Sequence, residues 1–339
     1  LDKLGKAKSR VQACPDTAAA WVFHRLAAAK ADIRRAGDPV TLPKAIKNDT
    51  ELDGTRAAHR RDGVALTRFL AWLAATAPDG GVTEIGAVDK LAEMRGGGEH
   101  FRQLSFGTIS GAGPNGAIVH YRVTPETDRP LASGELYLVD SGAQYLDGTT
   151  DVTRTVAIGT PSAKMCDRFT RVLKGHIAIA TAQFPAGTTG AQLDTLARQF
   201  LWQSGLDYDH GTGHGVGSYL GVHEGPQRIA KADTAQALKP GMIVSNEPGY
   251  YNEGAYGIRI ENLVAVTATD AIEDAEREML SFETLTLAPI DRACIETSLL
   301  SEAERAWLNG YHARVMAEIG PLVDENIREW LAEATQPLS

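Results

Sequence analysis

The sequence predicts an α+β fold in which helices flank a largely antiparallel sheet. Amphipathic segments and short β-rich runs mix along the 339 residues without the regular strand–helix alternation of a parallel sheet. The strongest strand signal lies in residues 135–140 and 151–158, two β-rich runs on either side of a Gly-containing turn. A chain of this length can form one large domain with a smaller additional unit.

The first 48 residues predict only small elements. A helix is expected over residues 17–35, closed by Gly37-Asp38-Pro39, and a β-like stretch over residues 40–46. This is too little chain for a domain by itself, so the main domain is expected to begin at about residue 49.

Two long helices are predicted next. Thr50 and Asp53 resemble a capping box that opens a helix running to about residue 76, and Thr83 caps a second helix that ends at Gly96-Gly97-Gly98. The remaining predicted elements are strands over residues 118–123, 135–140 and 151–158, helices over 163–182 and 189–203, strands over 242–247 and 257–266, and helices that open at Ser301-Glu302 and span 323–334.

Composition and charge narrow the class of protein. The formal net charge is −9 and the pI about 5.5, which gives no basic face for nucleic acid or an anionic membrane, so neither partner is expected. No uncharged apolar run approaches the ~20 residues that span a bilayer. Cys14, Cys166 and Cys294 are far apart and odd in number, which indicates neither a disulfide framework nor a thiolate zinc site. A reducing, cytoplasmic location is expected.

Two aspartates mark the first candidate site. Asp140 and Asp151 lie eleven residues apart, and the predicted pair of strands brings both carboxylates to one point. Carboxylates held this close repel each other, so a shared proton, an arginine or a metal ion must neutralise them. Each aspartate alone is equally typical of a turn beside glycine.

Three further stretches combine Gly, His and Glu in a way that a plain core does not need. They are His210-Gly-Thr-Gly-His214 with the following Val222-His223, Ser245-Asn-Glu247-Pro-Gly-Tyr250-Tyr251, and Gly257-Ile-Arg259-Ile-Glu261. In the last stretch Arg259 and Glu261 share one strand face, opposite two isoleucines. A polar face in an otherwise apolar strand indicates a site.

In these stretches the chain resembles the pita-bread metallopeptidases, and within them the cytosolic type of Xaa-Pro aminopeptidase (aminopeptidase P). The resemblance covers residues 44–339 and implies the pita-bread (creatinase/aminopeptidase) fold, with a curved sheet. It also implies a dinuclear metal site, whose ligands would be divided as follows. Asp140 and Asp151 bind one metal ion, Asp151 and Glu261 bridge to a second, and His214 and Glu247 complete the second.

The chemistry of this ligand set agrees with the resemblance. Two Asp and two Glu carry four negative charges, which two divalent ions would balance. A carboxylate-rich site with one imidazole suits Mn²⁺ first, while Co²⁺ or Zn²⁺ could also occupy it. Two such ions can hold a bridging hydroxide as the nucleophile and polarise the scissile carbonyl of a peptide.

The resemblance also implies roles for the other site residues. Glu247 would act as the general base, His120 would face the substrate and His223 would steady the tetrahedral intermediate. The remaining matches, at positions in or behind the pocket, are His210, Tyr251 and Arg259. A lone histidine such as His120 on a strand is more often a core or surface residue, so the implied roles depend on the whole set.

The expected activity is therefore release of the N-terminal residue from peptides with proline in second position. A prolidase, which cleaves Xaa-Pro dipeptides, shares the same ligands and remains the alternative; a non-catalytic peptide-binding pita-bread module is a further one. We expect a homodimer with three parts. Residues 1–48 would be the end of a preceding creatinase-like N-terminal domain, residues 49–288 the catalytic domain and residues 289–339 a helical C-terminal extension.

Overall fold

A computed structural model describes residues 1–232, 235–269 and 272–339 of the chain. The chain divides into two compact units, Leu1–Lys44 and Ala45–Ser339. The three-part division at residues 48 and 288 stays a prediction.

The first unit pairs two short parallel strands. Its elements in chain order are α1 (Asp2–Lys6), β1 (Arg10–Ala13), α2 (Ala20–Ala28), β2 (Asp32–Arg35) and α3 (Thr41–Ala45, whose last residue belongs to the second unit). The helix predicted over residues 17–35 was too long, because Lys30 adopts a left-handed φ of 62° and the chain turns into β2. The β-like stretch predicted over residues 40–46 is also wrong, since α3 occupies it.

Helices of the second unit follow the predicted order. They are α4 (Asp49–Thr76), α5 (Glu84–Gly96), α6 (Ala163–Ala180), α7 (Gly190–Trp202), α8 (Glu302–Ile319) and α9 (Glu325–Ala334). The capping box of α4 is formed by Asn48 and Glu51, two residues earlier than predicted. The predicted cap Thr83 is confirmed, since it accepts a hydrogen bond from the backbone of Gly86. In the described residues, no helix is long and apolar enough to cross a membrane.

Every strand pairing described in the second unit is antiparallel. Its strands are β3 (Phe101–Leu104), β4 (Ile109–Ala112), β5 (Glu135–Ser141), β6 (Ala143–Tyr145), β7 (Gly148–Thr149), β8 (Val152–Ile158), β9 (Phe184–Pro185), β10 (Gly213–His214), β11 (Arg228–Ile229), β12 (Ile243–Asn246), β13 (Gly249–Asn252), β14 (Tyr256–Arg259), β15 (Asn262–Ala268) and β16 (Met279–Thr284). The strand orders are β4-β5-β8, β12-β15-β16-β9 and β3-β6-β7, with the further pairs β13-β14 and β10-β11. The α+β prediction with a largely antiparallel sheet is confirmed.

The site depends on a seam between β8 and the strands β14 and β15. β5 pairs with β8 so that Asp140 lies opposite Thr153. Across the seam, the amide of Glu261 donates to the carbonyl of Thr153 at 3.1 Å, and the amide of Arg259 donates to Thr155 Oγ1 at 3.0 Å. The strand predicted over residues 257–266 is therefore interrupted between β14 and β15, at the point where Glu261 bonds to β8.

The strand predicted over residues 118–123 does not form. A 3-10 helix covers Gly113–Ala117, and the following residues make a turn. Asn115 and Tyr121 on this segment both bind Glu84 of α5, so side-chain contacts with a distant helix determine its path.

Two apolar clusters support the strands from either side. One joins α6 and α8 to β14 through residues such as Phe169, Leu308 and Ile258. The other joins α4 and α5 to β5 through Phe69, Leu91 and other residues. Burial of these faces stabilises the sheet by about 25 cal/mol per Å² of apolar surface.

Candidate metal centre

The predicted site residues converge on one cleft of about 520 Å³ in the second unit. All five predicted ligands line it, together with His120, His210, His223 and Arg259: the ligands are Asp140, Asp151, His214, Glu247 and Glu261. Tyr251 reaches the same group through hydrogen bonds to His210 and Arg259. The chain thus brings together residues that span more than a hundred positions.

The two aspartates come from the paired strands β5 and β8. Asp140 is the penultimate residue of β5, and Asp151 directly precedes β8. Asp140 is 8% exposed, Asp151 3% and Glu261 only 1%. Three carboxylates are therefore buried side by side, an arrangement that needs compensating positive charge.

His214 and Glu247 are placed by a serine between them. Ser245 Oγ accepts from the amide of His214 at 2.9 Å and donates to Glu247 Oε1 at 3.1 Å. His214 Nε2 lies 3.4 Å from Asp151 Oδ2 and 3.5 Å from Glu247 Oε1. The imidazole and the two carboxylates therefore point at a common centre.

The ligand atoms fall into triads in which all atoms lie within 4.8 Å of one another. Among the described residues these triads are Asp140/Asp151/Glu261, His214/Glu247/Glu261 and Asp151/His214/His223. The first two contain the five predicted ligands and share Glu261. Such a shared carboxylate is the arrangement that two neighbouring cations require.

The surroundings of the site disfavour the charged form of its carboxylates, as their raised pKa values indicate. Burial, together with the neighbouring Asp140, raises the pKa of Asp151 to about 6, against the lowering effect of His214. Burial also raises the pKa of Glu247 to about 7 and that of Glu261 well above its usual value. For His214, burial opposes the charged form, but hydrogen bonding to Asp151 and the charge of Glu247 outweigh it and raise the pKa to about 9.

The residues present fit divalent cations. Asp140 Oδ1 and Asp151 Oδ1 are buried and accept no hydrogen bond from the described residues. Unpartnered buried carboxylate oxygens are costly unless a ligand satisfies them. Four carboxylates and one imidazole form a donor set that suits hard or borderline divalent metals.

Arg259 connects one ligand to the wall of the cleft. Its guanidinium donates to Asp140 Oδ2 at 2.6 Å and to the Tyr251 hydroxyl at 2.7 Å. The Tyr251 hydroxyl lies 2.8 Å from His210 Nε2, while His210 Nδ1 lies 2.8 Å from the carbonyl of Gly211. Burial and the charge of Arg259 lower the pKa of His210 to about 3, so its ring is neutral. The neutral ring donates a hydrogen bond from Nδ1 to the carbonyl of Gly211 and accepts one at Nε2 from the hydroxyl of Tyr251.

His120 and His223 both line the cleft and are exposed to solvent. The ring of His223 lies against that of His214, with 3.8 Å between centroids. Burial and the charge of His214 lower the pKa of His223 to about 4.

Sequence reasoning missed a buried arginine directly behind the ligands. Arg154 is 2% exposed and donates to the carbonyls of Thr153 and Glu261, at 2.9 and 2.6 Å, and to the hydroxyl of Tyr311 on α8. It therefore holds β8 against the residue that carries a ligand carboxylate. The signal was a single charged residue inside β8, over residues 152–158.

A second missed arginine supports the histidine-bearing loop. Arg198 on α7 forms a two-pronged ion pair with Asp194, with contacts of 2.6 and 3.1 Å, and donates to the carbonyl of His210 at 2.8 Å. Asp194 also accepts from Thr212 at 2.6 Å. An Asp–Arg pair four residues apart on the buried side of a helix was its signal in the sequence.

Comparison with known proteins agrees with this geometry. Residues 53–268 match the model of metallopeptidase family M24, and residues 278–338 match the C-terminal region of peptidase M24. A curated relative, the probable Xaa-Pro aminopeptidase P of Paracoccidioides brasiliensis (strain Pb03), is 48% identical over 331 residues, covering 95% of this chain and 53% of the relative. The chain thus spans about half the length of this relative.

Two solved structures share the fold. The X-prolyl aminopeptidase of Caenorhabditis elegans, described as a cytosolic enzyme with a di-nuclear active site, superposes with a TM-score of 0.91 at 40% identity and covers 99% of this chain and 55% of that one. The Xaa-Pro dipeptidase of Bacillus anthracis superposes with a TM-score of 0.73 at 27% identity, covering 86% of this chain and 77% of that one. The fold is the pita-bread fold, and the chain belongs to metallopeptidase family M24.

Proposed function

We propose that this chain carries the active site of a metal-dependent aminopeptidase that releases the N-terminal residue from peptides with proline in second position. The observation that carries the proposal is the convergence of all five predicted ligands in two triads that share Glu261. The likeness to an X-prolyl aminopeptidase over nearly the whole chain supports the choice of substrate.

The proposed ligand assignment takes Glu261 as shared from the two triads, and adds Asp151 as a second shared ligand because Asp151 also forms a triad with His214. Asp140 and Asp151 would hold one cation, Asp151 and Glu261 would be shared with a second, and His214 and Glu247 would complete the ligands of the second. When bound, two divalent cations supply Lewis-acid activation of water and of the scissile carbonyl. The oxygen-rich donor set favours Mn²⁺, with Co²⁺ or Zn²⁺ as alternatives.

Glu247 is the proposed proton carrier of the reaction. Its Oε1 already accepts from Ser245 Oγ, and its backbone amide donates to the carbonyl of Thr212 at 2.7 Å, so its position is set from both ends. In this role it takes a proton from the attacking water and passes it to the leaving amine. General acid–base catalysis of this kind contributes ~10²–10⁴-fold.

Two histidines are proposed to contact the substrate. His120 lines the cleft on the segment after the 3-10 helix and would face the peptide, while His223 would donate to the oxygen that becomes negatively charged. Arg259 is proposed to orient Asp140, since it donates to Oδ2 of that carboxylate. The hydroxyl of Tyr251 accepts from Arg259, and His210 in turn holds that hydroxyl.

The dipeptidase alternative has its own support, because an Xaa-Pro dipeptidase shares the fold. Peptide length separates the two activities. With Mn²⁺ present, we expect Xaa-Pro-Xaa-Xaa peptides to release only their first residue, and faster than matched Xaa-Ala-Xaa-Xaa peptides. Cleavage of Xaa-Pro alone would assign a dipeptidase, and no cleavage of either peptide by protein with measured metal content would favour a non-catalytic binding module.

We also propose a cytoplasmic homodimer with no nucleic-acid or membrane partner. The net charge of −9 supports the proposed absence of a nucleic-acid or membrane partner, since it disfavours binding to polyanions. The C. elegans neighbour is described as cytosolic, which supports the location. Light scattering of the purified chain tests the dimer.

A further inference from the structure

Beyond the ligands, the cleft contains two arginines that the proposed chemistry does not use. Arg122 and Arg228 both line it, and both are exposed. Arg122 lies two residues after His120, and Arg228 belongs to β11. They therefore come from two separate segments that meet at the same cleft.

Arg228 is held next to a predicted metal ligand. In the antiparallel pair β10–β11 it lies directly opposite His214, so both side chains are on the same face of the pair. Unlike His214, it makes no side-chain hydrogen bond or ion pair within the described ranges. Its guanidinium is thus free to meet a bound molecule.

Arg122 is nearly as free. In the part of the chain that the structure describes, its guanidinium donates a hydrogen bond to the carbonyl of Gly107 and forms no ion pair. A guanidinium has five N–H donors, so most of its donors remain available. Arg122 and Arg228 together place two uncompensated positive charges in the cleft.

The remaining charges of the cleft do not neutralise these arginines. The carboxylates among its described lining residues are the four predicted ligands, Asp140, Asp151, Glu247 and Glu261. Two divalent cations would balance those four charges, and the guanidinium of Arg259 is already bound to Asp140. The lining of the cleft also includes the apolar residues Val119, Val222 and Ala230, which carry no charge to pair with these arginines.

We propose that Arg122 and Arg228 form a subsite for a carboxylate carried by the substrate residue that follows proline. This inference rests on the proposed function and names its preferred substrates. An extended chain advances ~3.3–3.6 Å per residue, so the carbonyl or carboxyl carbon of this residue, two residues along the chain, lies roughly 7 Å beyond the scissile carbonyl. In this proposal the carboxylate lies beyond the ligand triads and within the cleft that Arg122 and Arg228 line. A guanidinium is the group best suited to bind a carboxylate there.

The carboxylate can have two sources, the C-terminus of a tripeptide or an acidic side chain in a longer peptide. Three peptides distinguish them: Ala-Pro-Ala, its C-terminal amide, and Ala-Pro-Asp amide. We expect KM for the Ala-Pro-Ala amide to be about tenfold higher than for the free acid, as for loss of one charged hydrogen bond. If the subsite accepts a side-chain carboxylate, Ala-Pro-Asp amide recovers the low KM; if only the C-terminus fits, it does not.

Variants assign the effect to these residues. In the double variant Arg122→Gln/Arg228→Gln, the ratio of the KM for the amide to the KM for the acid should fall toward one. The control is Arg277→Gln, which changes an exposed arginine that does not line the cleft and should keep the ratio of the unmodified chain. The ratio should also shrink at high salt, because exposed charges are screened. Equal KM for acid and amide in the unmodified chain would overturn the subsite.

Binding measured without turnover keeps the subsite separate from the proposed activity. Calorimetry with Pro-Ala and Pro-Ala amide, which lack a residue to be released, should show tighter binding of the acid, and this difference should disappear in the double variant. If no Xaa-Pro peptide is cleaved but this preference is present, the proposed function fails while the subsite stands. Equal affinity of the two ligands contradicts the subsite whether or not peptides are cleaved.

Discussion

Glu247 combines two proposed functions in one carboxylate. It is a member of the triad with His214 and Glu261, and it is the proposed proton carrier. An amide of the same size can neither carry the proton nor supply an anionic ligand. Loss of Glu247 therefore removes more than a single catalytic contribution.

We expect Glu247→Gln to fold normally and to lose more than the ~10²–10⁴-fold that a general base contributes, because metal binding suffers as well. Turnover of an Xaa-Pro-Xaa peptide and metal content measure the two effects. Glu253→Gln, at an exposed position six residues away, is the matched control and should retain full turnover. Full activity in folded Glu247→Gln would exclude Glu247 from the mechanism.

The sequence indicates the predicted metal ligands more clearly than the buried arginines that support them. The five ligands were predicted from the resemblance to a known family, which Asp, His and Glu in Gly-containing stretches carry. Arg154 and Arg198 were not, because neither the arginine inside β8 nor the Asp–Arg pair of α7 indicates by itself which distant carbonyls the arginine binds. Their hydrogen bonds to backbone carbonyls far along the chain exist only in the folded protein.

At the scale of elements, the first turn of α5 determines the path of the segment that carries His120. Glu84 is fully buried, and its carboxylate accepts from the amide of Ala112 at 2.7 Å, from Asn115 Nδ2 at 3.0 Å and from the hydroxyl of Tyr121 at 3.2 Å. Asn115 and Tyr121 flank His120 in sequence. The helix thus fixes both sides of the proposed substrate-facing residue.

Glu84→Gln should lower kcat/KM about tenfold while metal content stays unchanged. A glutamine has one acceptor oxygen instead of two and leaves a buried donor unsatisfied, which costs ~1–3 kcal/mol. Steady-state kinetics and elemental analysis separate the two readouts. Glu93→Gln, exposed on the same helix, should behave as the unmodified chain. Loss of metal in Glu84→Gln would contradict a role limited to the His120 segment.

Helix α8 contains a buried neutral histidine. The amide of Ile290 donates to His312 Nε2 at 3.1 Å, and burial, aided by the charges of Arg154 and Arg292, lowers the pKa of His312 to about 4. In the unfolded chain the ordinary value is 6.5. Below pH 6.5 the unfolded state therefore binds more protons at this residue, so stability falls as the pH drops toward 4.

Between pH 7 and pH 4, we expect the free energy of unfolding to fall more steeply in the unmodified chain than in His312→Gln. The difference should reach on the order of 3 kcal/mol, at 1.36 kcal/mol per pKa unit. Urea denaturation at several pH values measures it, and the other titrating groups are common to both proteins. Parallel pH profiles would mean that His312 titrates normally in the folded state.

For the whole molecule, metal binding and stability should be linked. The fold holds three buried carboxylates together, so cations that bind only the folded state stabilise it by RT ln(1 + [L]/Kd), ~2.7 kcal/mol at a hundredfold excess over Kd. Chelation should lower the melting temperature, and Mn²⁺ should restore it. Asp151→Asn, which removes a predicted ligand, should change its melting temperature only weakly on chelation or Mn²⁺ addition. Identical melting of chelated and Mn²⁺-loaded protein, with metal removal verified, would exclude the site.

Local patterns in the sequence were sufficient for much of this protein. Periodicity and capping residues predicted the helices α4 to α9, because helices are stabilised by contacts within a few residues. The strand pair β5–β8 was predicted because its two β-rich runs are close in sequence and a turn separates them. The resemblance to the pita-bread metallopeptidases, which the same stretches carry, implied the metal centre, and the chemistry of four carboxylates with one imidazole agrees with it.

Only the tertiary structure decided how these parts meet. The predicted strand over residues 118–123 is a turn because Glu84 binds Asn115 and Tyr121. The strand over residues 257–266 breaks because the amide of Glu261 bonds to β8. Arg122 and Arg228 line the same cleft although they lie about a hundred residues apart in the chain. Each outcome depends on long-range contacts, which local periodicity does not encode.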